Sequence, residues 1–427
     1  MNRTLLAFIA SVGISLAFPV VAASQQPSPE LSRRADALPA LFRGEGLPAE
    51  LFTPGFLEQV SADQVNAVFA QLRAQHGAAQ GLNRFEARSA TSGVAYVDFE
   101  RAMLRFDLVV EPEPPHRISG LLLTGTELRG DSFARLGEEF AALPGQASLA
   151  VARLGETAPT VLASRGSDRP MAIGSAFKLF ILAELDRSIR AGERRWGDVV
   201  PVDRLSAPGT MQYWPRRAPV TLHTLAALMI SQSDNSATDI LLHALGREKV
   251  ERMLPNLGVR APERNRPFLS TLEAFILKSA PDPLLRSWLD ADEAQRRRIL
   301  SSRLAEPSIG DVDESRFGTA PAQIEAIEWF ASAEDLVRTM DWLRRNGSDE
   351  TRAILAIATG VPRSLAGEFA YVGYKGGSEP GVINMTFLVR NRAGAWHSIA
   401  GTWNDPAAPV DNARFAALMQ RAVQLVR

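Results

Sequence analysis

The chain contains no cysteine. That excludes a thiol nucleophile, a thiolate metal site, lipid attachment at an N-terminal cysteine and any disulfide, so the fold stands on its core alone. Lysine is nearly as scarce. Only Lys178, Lys249, Lys278 and Lys375 occur, and arginine supplies the other 43 of the 47 basic residues. The five histidines show no metal-ligand spacing, and no metal site or cofactor is expected. Net charge is −1, so no basic excess points to nucleic acid and no acidic tail points to disorder. Beyond the first residues no apolar run is long enough to span a membrane. What remains is ordinary: 427 residues, 46% hydrophobic and 22% charged, enough for about two or three globular domains.

Residues 1–23 read as a secretory signal. Arg3 gives a positive start, Leu5 to Phe18 is apolar, and Val21-Ala22-Ala23 offers small residues for cleavage. The expected location is the periplasm or the medium. Residues 24–37, with Pro27 and Pro29, read as a flexible leader. Residues 38–81 read as mostly helical, with apolar positions at spacings of three, four and seven. The period then changes, and 82–89, 93–99, 102–110 and 117–123 read as strands. Helices followed by an antiparallel meander make a small α+β domain at 38–126. It resembles the nuclear-transport-factor-2/steroid-isomerase fold.

Residues 125–130 read as a hinge, and 127–427 as the second domain. There 147–153, 160–164, 371–374, 382–389 and 396–402 read as strands. Helices are expected at 131–143, 175–190, 221–245 with a break, 283–304, from Ser332, and at 412–426. Strands at both ends with helices between them suit an α/β sandwich carrying an all-helical lobe.

Three short motifs follow one another in this region: Ser175-Ala176-Phe177-Lys178, Ser233-Asp234-Asn235 and Lys375-Gly376-Gly377. In a helix, Ser175 and Lys178 project from one face. Ser175 is expected at an N-cap-like position, and the apolar residues around Lys178 place it in a buried helix. Burial and a helix N-terminus both lower a lysine pKa, which sets a base beside a nucleophile. Arginine cannot lose its proton in a protein, which gives a chemical reason for lysine in this arginine-rich chain. Ser, Asp and Asn in the second motif are also the residues that cap helices.

Together the motifs resemble those of the penicillin-recognising serine hydrolases, the class A β-lactamases and related penicillin-binding proteins. The resemblance implies a β-lactamase/transpeptidase-like fold with Ser175 as nucleophile, Lys178 as general base and Ser233 as proton relay. It implies substrate binding by Asn235, Lys375, Gly377 and Ser378, with the Ser175 and Ser378 amides as oxyanion hole. In the family the middle residue of the third motif is usually Thr or Ser, whose hydroxyl contacts the substrate carboxylate. Here it is Gly376, and Ser378 on the same strand face is a candidate replacement. Thr210 and Tyr213 lie in a loop that borders the site in the family and are candidates for substrate contact.

Class A enzymes also carry Glu-x-x-Leu-Asn after the second motif, to activate the deacylating water. Neither Glu263 nor Glu273 fits that pattern, so deacylation is expected to be slow or to follow another route. The combination resembles two-domain β-lactamase-like proteins associated with clavulanic acid biosynthesis, where weak cephalosporin esterase activity is expected. The reading is an exported serine hydrolase acting on a small molecule: a β-lactam, an ester or a peptide carboxylate. A D,D-peptidase on cell-wall peptides and a slowly deacylating β-lactam sensor stand as alternatives. Oligomeric state is left open.

Overall fold

A computed structural model describes residues 28–316 and 319–427, so the expected signal at 1–23 lies outside the described residues. The chain divides after Asp131 into two compact units.

The first unit contains α1 (Pro29–Arg43), two short helices, α2 (Ala62–His76) and strands β1 (Ala79–Ala87), β2 (Ser92–Phe99), β3 (Ala102–Val110) and β4 (Ile118–Leu128). The strands form an antiparallel meander in chain order. Alternate residues of β3, from Ala102 to Val110, face the core. Phe42 of α1 packs there against Phe69 and Phe106, at centroid distances of 4.9 and 4.6 Å. Two expectations are corrected. The leader is helical from Pro29: Ser28 accepts the Leu31 amide as N-cap, Pro29 occupies the first turn, and Leu31, Ala35 and Leu38 are buried. The hinge is largely strand, since Gly125, Thr126 and Leu128 pair with Arg105, Leu104 and Ala102.

The second unit is built on a five-stranded antiparallel sheet. Its strands are β5 (Gln146–Leu154), β6 (Thr160–Arg165), β7 (Tyr371–Glu379), β8 (Val382–Arg390) and β9 (Trp396–Asn404), in spatial order β7-β8-β9-β5-β6. The helices that matter here are α3 (Phe133–Ala141), α4 (Lys178–Arg190), α5 (Leu222–Ser231), α6 (Asn235–Leu245), α7 (Thr271–Ser279), α8 (Asp282–Leu289), α9 (Glu293–Arg303), α10 (Ala333–Asn346) and α11 (Asn412–Gln424). β8 is buried on both faces. Met385, Phe387 and Val389 face the α3/α11 layer, and Leu388 faces the layer holding α4 and α10. α4 is apolar on most sides and therefore buried. Ser332 and Asp335 form a capping box at the start of α10.

Three details differ from expectation. The charged segment 283–304 breaks at Asp290–Asp292 because Asp292 caps α9. β7 continues through the third motif to Glu379 instead of ending at Tyr374. Ser175 is not the N-cap of α4. It sits in a 3-10 turn, Gly174–Phe177, that leads into the helix.

Candidate active site

The turn carrying Ser175 is fixed from several sides. The Asn404 side chain bonds both the amide and the carbonyl of Ala172, just before the turn. Phe177, fully buried, stacks on Trp329 at 3.7 Å between ring centroids. On the cleft side the turn meets β7 directly. A methyl group on Gly377 would stand 2.2 Å from the Ser175 amide nitrogen, and one on Gly174 would stand 3.2 Å from the Ser378 amide nitrogen. Only glycine permits that crossing, and Gly174 also has φ of +48°. The crossing sets the backbones of Ser175 and Ser378 close together in the cleft lining.

Lys178 lies beneath the cleft with no exposed surface. Its Nζ donates to Ser233 O at 2.7 Å and to Asn235 Oδ1 at 2.6 Å, and lies 3.1 Å from Ser233 Oγ. Asn235 is oriented in turn by its own Nδ2, which donates to Ala207 O at 2.9 Å. Ser233 joins α5 to α6 with φ of +57°, a strained left-handed conformation for a serine. In that conformation its hydroxyl meets two lysines, because Lys375 Nζ is also 3.1 Å from Ser233 Oγ. Lys375 additionally donates to Gly376 O.

Both lysines hold their protons weakly. Burial, followed by repulsion from Lys375, drives the Lys178 pKa well below the ordinary lysine value, against the attraction of Asp239 and Asp234. Burial alone brings Lys375 to about 7. Asp234 caps α6 through the Ala237 amide and also accepts the Thr210 and Met211 amides. Asp239 accepts the Thr271 and Leu272 amides, which fixes the start of α7 beside α6, and burial raises its pKa to about 6.

These elements enclose a cleft of about 600 Å³ lined by Ser175, Ser233, Asn235, Lys375, Gly377 and Ser378. The structure thus brings six of the expected residues to one cavity, and Lys178, outside the lining, bonds to two of them, Ser233 and Asn235. Thr210 is the exception. It does not line the cleft, because its amide is bound to Asp234 and its hydroxyl to Asp234 and Gln232. Tyr213 is 83% exposed and is also outside the lining. Phe275 of α7, Tyr374 and Met385 line the cleft without having been singled out by the sequence. Tyr374 adjoins a motif, but Met385 enters only through its register opposite Gly376.

Among the described residues no aspartate or glutamate lines the cleft. Glu273 is committed elsewhere: it caps α7 through Ser270 and pairs with Arg247 at 2.7 Å. Burial raises its pKa, but Arg247 outweighs that and leaves it below the usual value. Glu263 is exposed, on a 3-10 turn. No group of three or more His, Asp or Glu residues that could hold a metal ion occurs among the described residues. A serine in a cleft whose Ser233 and Asn235 side chains contact a deprotonable lysine, with a second lysine on the same Ser233 hydroxyl, can support acyl transfer to serine.

That chemistry belongs to the serine hydrolases of the β-lactamase and penicillin-binding-protein superfamily. The sequence model of the Beta-lactamase enzyme family matches residues 132–384, more than half of the chain, and the chain belongs to this family. No curated protein matches the chain. Among solved structures, the chain is similar to PBP-A, with 16% identity, a TM-score of 0.48, and coverage of 69% of this chain and 93% of that one. It is also similar to a β-lactamase from Sphaerobacter thermophilus DSM 20745, with 19% identity, a TM-score of 0.48, and coverage of 69% and 95%. A β-lactamase from Chitinophaga pinensis DSM 2588 shows 17% identity and a TM-score of 0.47, with coverage of 69% and 97%. No helix among the described residues is long and apolar enough to cross a membrane.

Proposed function

We propose that this chain is an exported hydrolase that forms an acyl-enzyme at Ser175 with β-lactams or related carboxylate-bearing esters and amides. Neutral Lys178 takes the Ser175 hydroxyl proton as the oxygen attacks the acyl carbon. The amides of Ser175 and Ser378 hold the developing oxyanion. Ser233 passes a proton to the departing nitrogen or oxygen. Asn235 steadies Lys178 and meets the substrate amide, while Lys375 meets the carboxylate.

The observation that carries this reading is the position of Ser233 Oγ, 3.1 Å from both Lys178 Nζ and Lys375 Nζ. A hydroxyl shared by two weakly basic lysines is a path for one proton between nucleophile side and leaving-group side. Deacylation is slow in this account, because the cleft lining supplies no carboxylate to activate water. The first unit is a steroid-isomerase-like accessory domain, a reading supported by its helices and four-stranded meander.

Steady-state hydrolysis of a fluorogenic cephalosporin and a penicillin, by the wild type and Ser175→Ala, tests the reading. Slow turnover that disappears in Ser175→Ala supports a hydrolase. Stoichiometric reaction without turnover assigns the same site to a sensor or a trapped D,D-peptidase. Turnover that survives in Ser175→Ala contradicts the proposal.

A further inference from the structure

We propose that Tyr374 supplies the hydroxyl missing from the middle of the third motif: its phenol donates to the substrate carboxylate beside Lys375. This deepens the acyl-enzyme reading above and rests on it.

Tyr374, Gly376 and Ser378 alternate along one face of β7. The Tyr374 side chain lies along that face. A methyl group at position 376 would be 2.1 Å from its hydroxyl oxygen and 2.8 Å from Cζ, and 2.8 Å from the Asn384 carbonyl oxygen of the neighbouring strand. Behind the ring, a methyl at Gly360 would be 2.4 Å from Cδ2, and Gly360 has φ of +65°. The Phe387 ring packs against Tyr374, with centroids 4.9 Å apart. Two glycines therefore shape a slot for one tyrosine.

The Tyr374 ring and the Asn384 carbonyl together account for the departure at Gly376. A serine or threonine there cannot coexist with the Tyr374 ring, because its Cβ would overlap the phenolic oxygen. The hydroxyl reaches position 376 from a neighbour on the strand instead of from position 376 itself. It lines the cleft together with Ser175 and Lys375, and it has no hydrogen-bond partner among the described residues. Burial raises its pKa to about 12, so it remains a neutral O–H donor at ordinary pH. A donor facing a cleft that already holds a lysine and no carboxylate suits an anionic group on the substrate.

Acylation rates measured by intact-protein mass spectrometry with benzylpenicillin and its methyl ester test the assignment. Tyr374→Phe keeps the ring and removes only the hydroxyl. It is expected to slow acylation by the acid by about tenfold or more and to leave the ester unchanged. Equal slowing of both probes, no slowing, or a carboxylate-specific loss in Ser378→Ala alone overturns the assignment. Absence of any Ser175 adduct in the wild type overturns the acyl-enzyme reading first, and this inference with it.

Discussion

Lys375 gives the sharpest test of how the two buried lysines divide their work. Burial leaves its pKa at about 7. Below that pH it is charged and can hold a substrate carboxylate. Above it the ammonium is lost, and with it a charge-assisted bond of about 1.5–3 kcal/mol, roughly a tenfold or greater change in rate. Lys178 works with the opposite sign, because it takes a proton only when neutral. Its own pKa lies well below the ordinary 10.5. Acylation efficiency against pH is therefore expected to rise with Lys178 deprotonation and to fall above about pH 7 as Lys375 loses its charge. Lys375→Arg separates the limbs, because a guanidinium stays charged throughout the range. The expected outcome is loss of the alkaline limb with retention of the acid limb, measured as second-order acylation rates for a penicillin. Masking the substrate carboxylate as an ester is expected to remove the same limb from the wild type. An alkaline limb that persists unchanged in Lys375→Arg would refute the reasoning, as would a wild-type profile that is flat from acid to alkaline pH.

Other perturbations address separate parts of the account. Lys178→Arg is expected to abolish acylation while circular dichroism shows a folded protein, since arginine keeps its proton; normal acylation would remove Lys178 as base. Gly377→Ala places a methyl 2.2 Å from the Ser175 amide nitrogen, so acylation is expected to fall by about 100-fold. Gly137→Ala, on α3 with nothing within 4 Å of the added methyl, is expected to stabilise the protein by about 0.5–1 kcal/mol in denaturant titration. Lys278 of α7 bridges buried Glu328 at 2.8 Å and Glu379 at the end of β7 at 2.5 Å. Lys278→Met strands both carboxylates and is expected to cost about 3–5 kcal/mol, whereas unchanged stability would deny the triad a structural role.

The chemistry of the site was legible in the sequence where residue type and spacing act locally. Ser175 stands in the 3-10 turn that leads into Lys178, and in the second motif Asp234 caps α6 while Ser233 and Asn235 contact Lys178. The close crossing at Gly377 was not legible, because it depends on which strand edge meets the turn, a long-range fact. Register hid Met385 and the role of Tyr374 for the same reason: a one-residue slip would turn both to the other face. Pro29 reads as part of a flexible leader, although after Ser28 it starts a helix. Gly125 was read as part of a hinge, although in β4 it makes room for the Arg105 guanidinium, 3.2 Å from where a side chain would begin.

Every role proposed for the cleft depends on a covalent bond to Ser175. Intact-protein mass spectrometry with a penicillin and a fluorogenic cephalosporin, run beside Ser175→Ala, reads it directly. An adduct of the substrate's acyl part, decaying slowly, is expected in the wild type, and no adduct in the variant. An adduct of equal yield in Ser175→Ala, or none in the wild type with either compound, contradicts it.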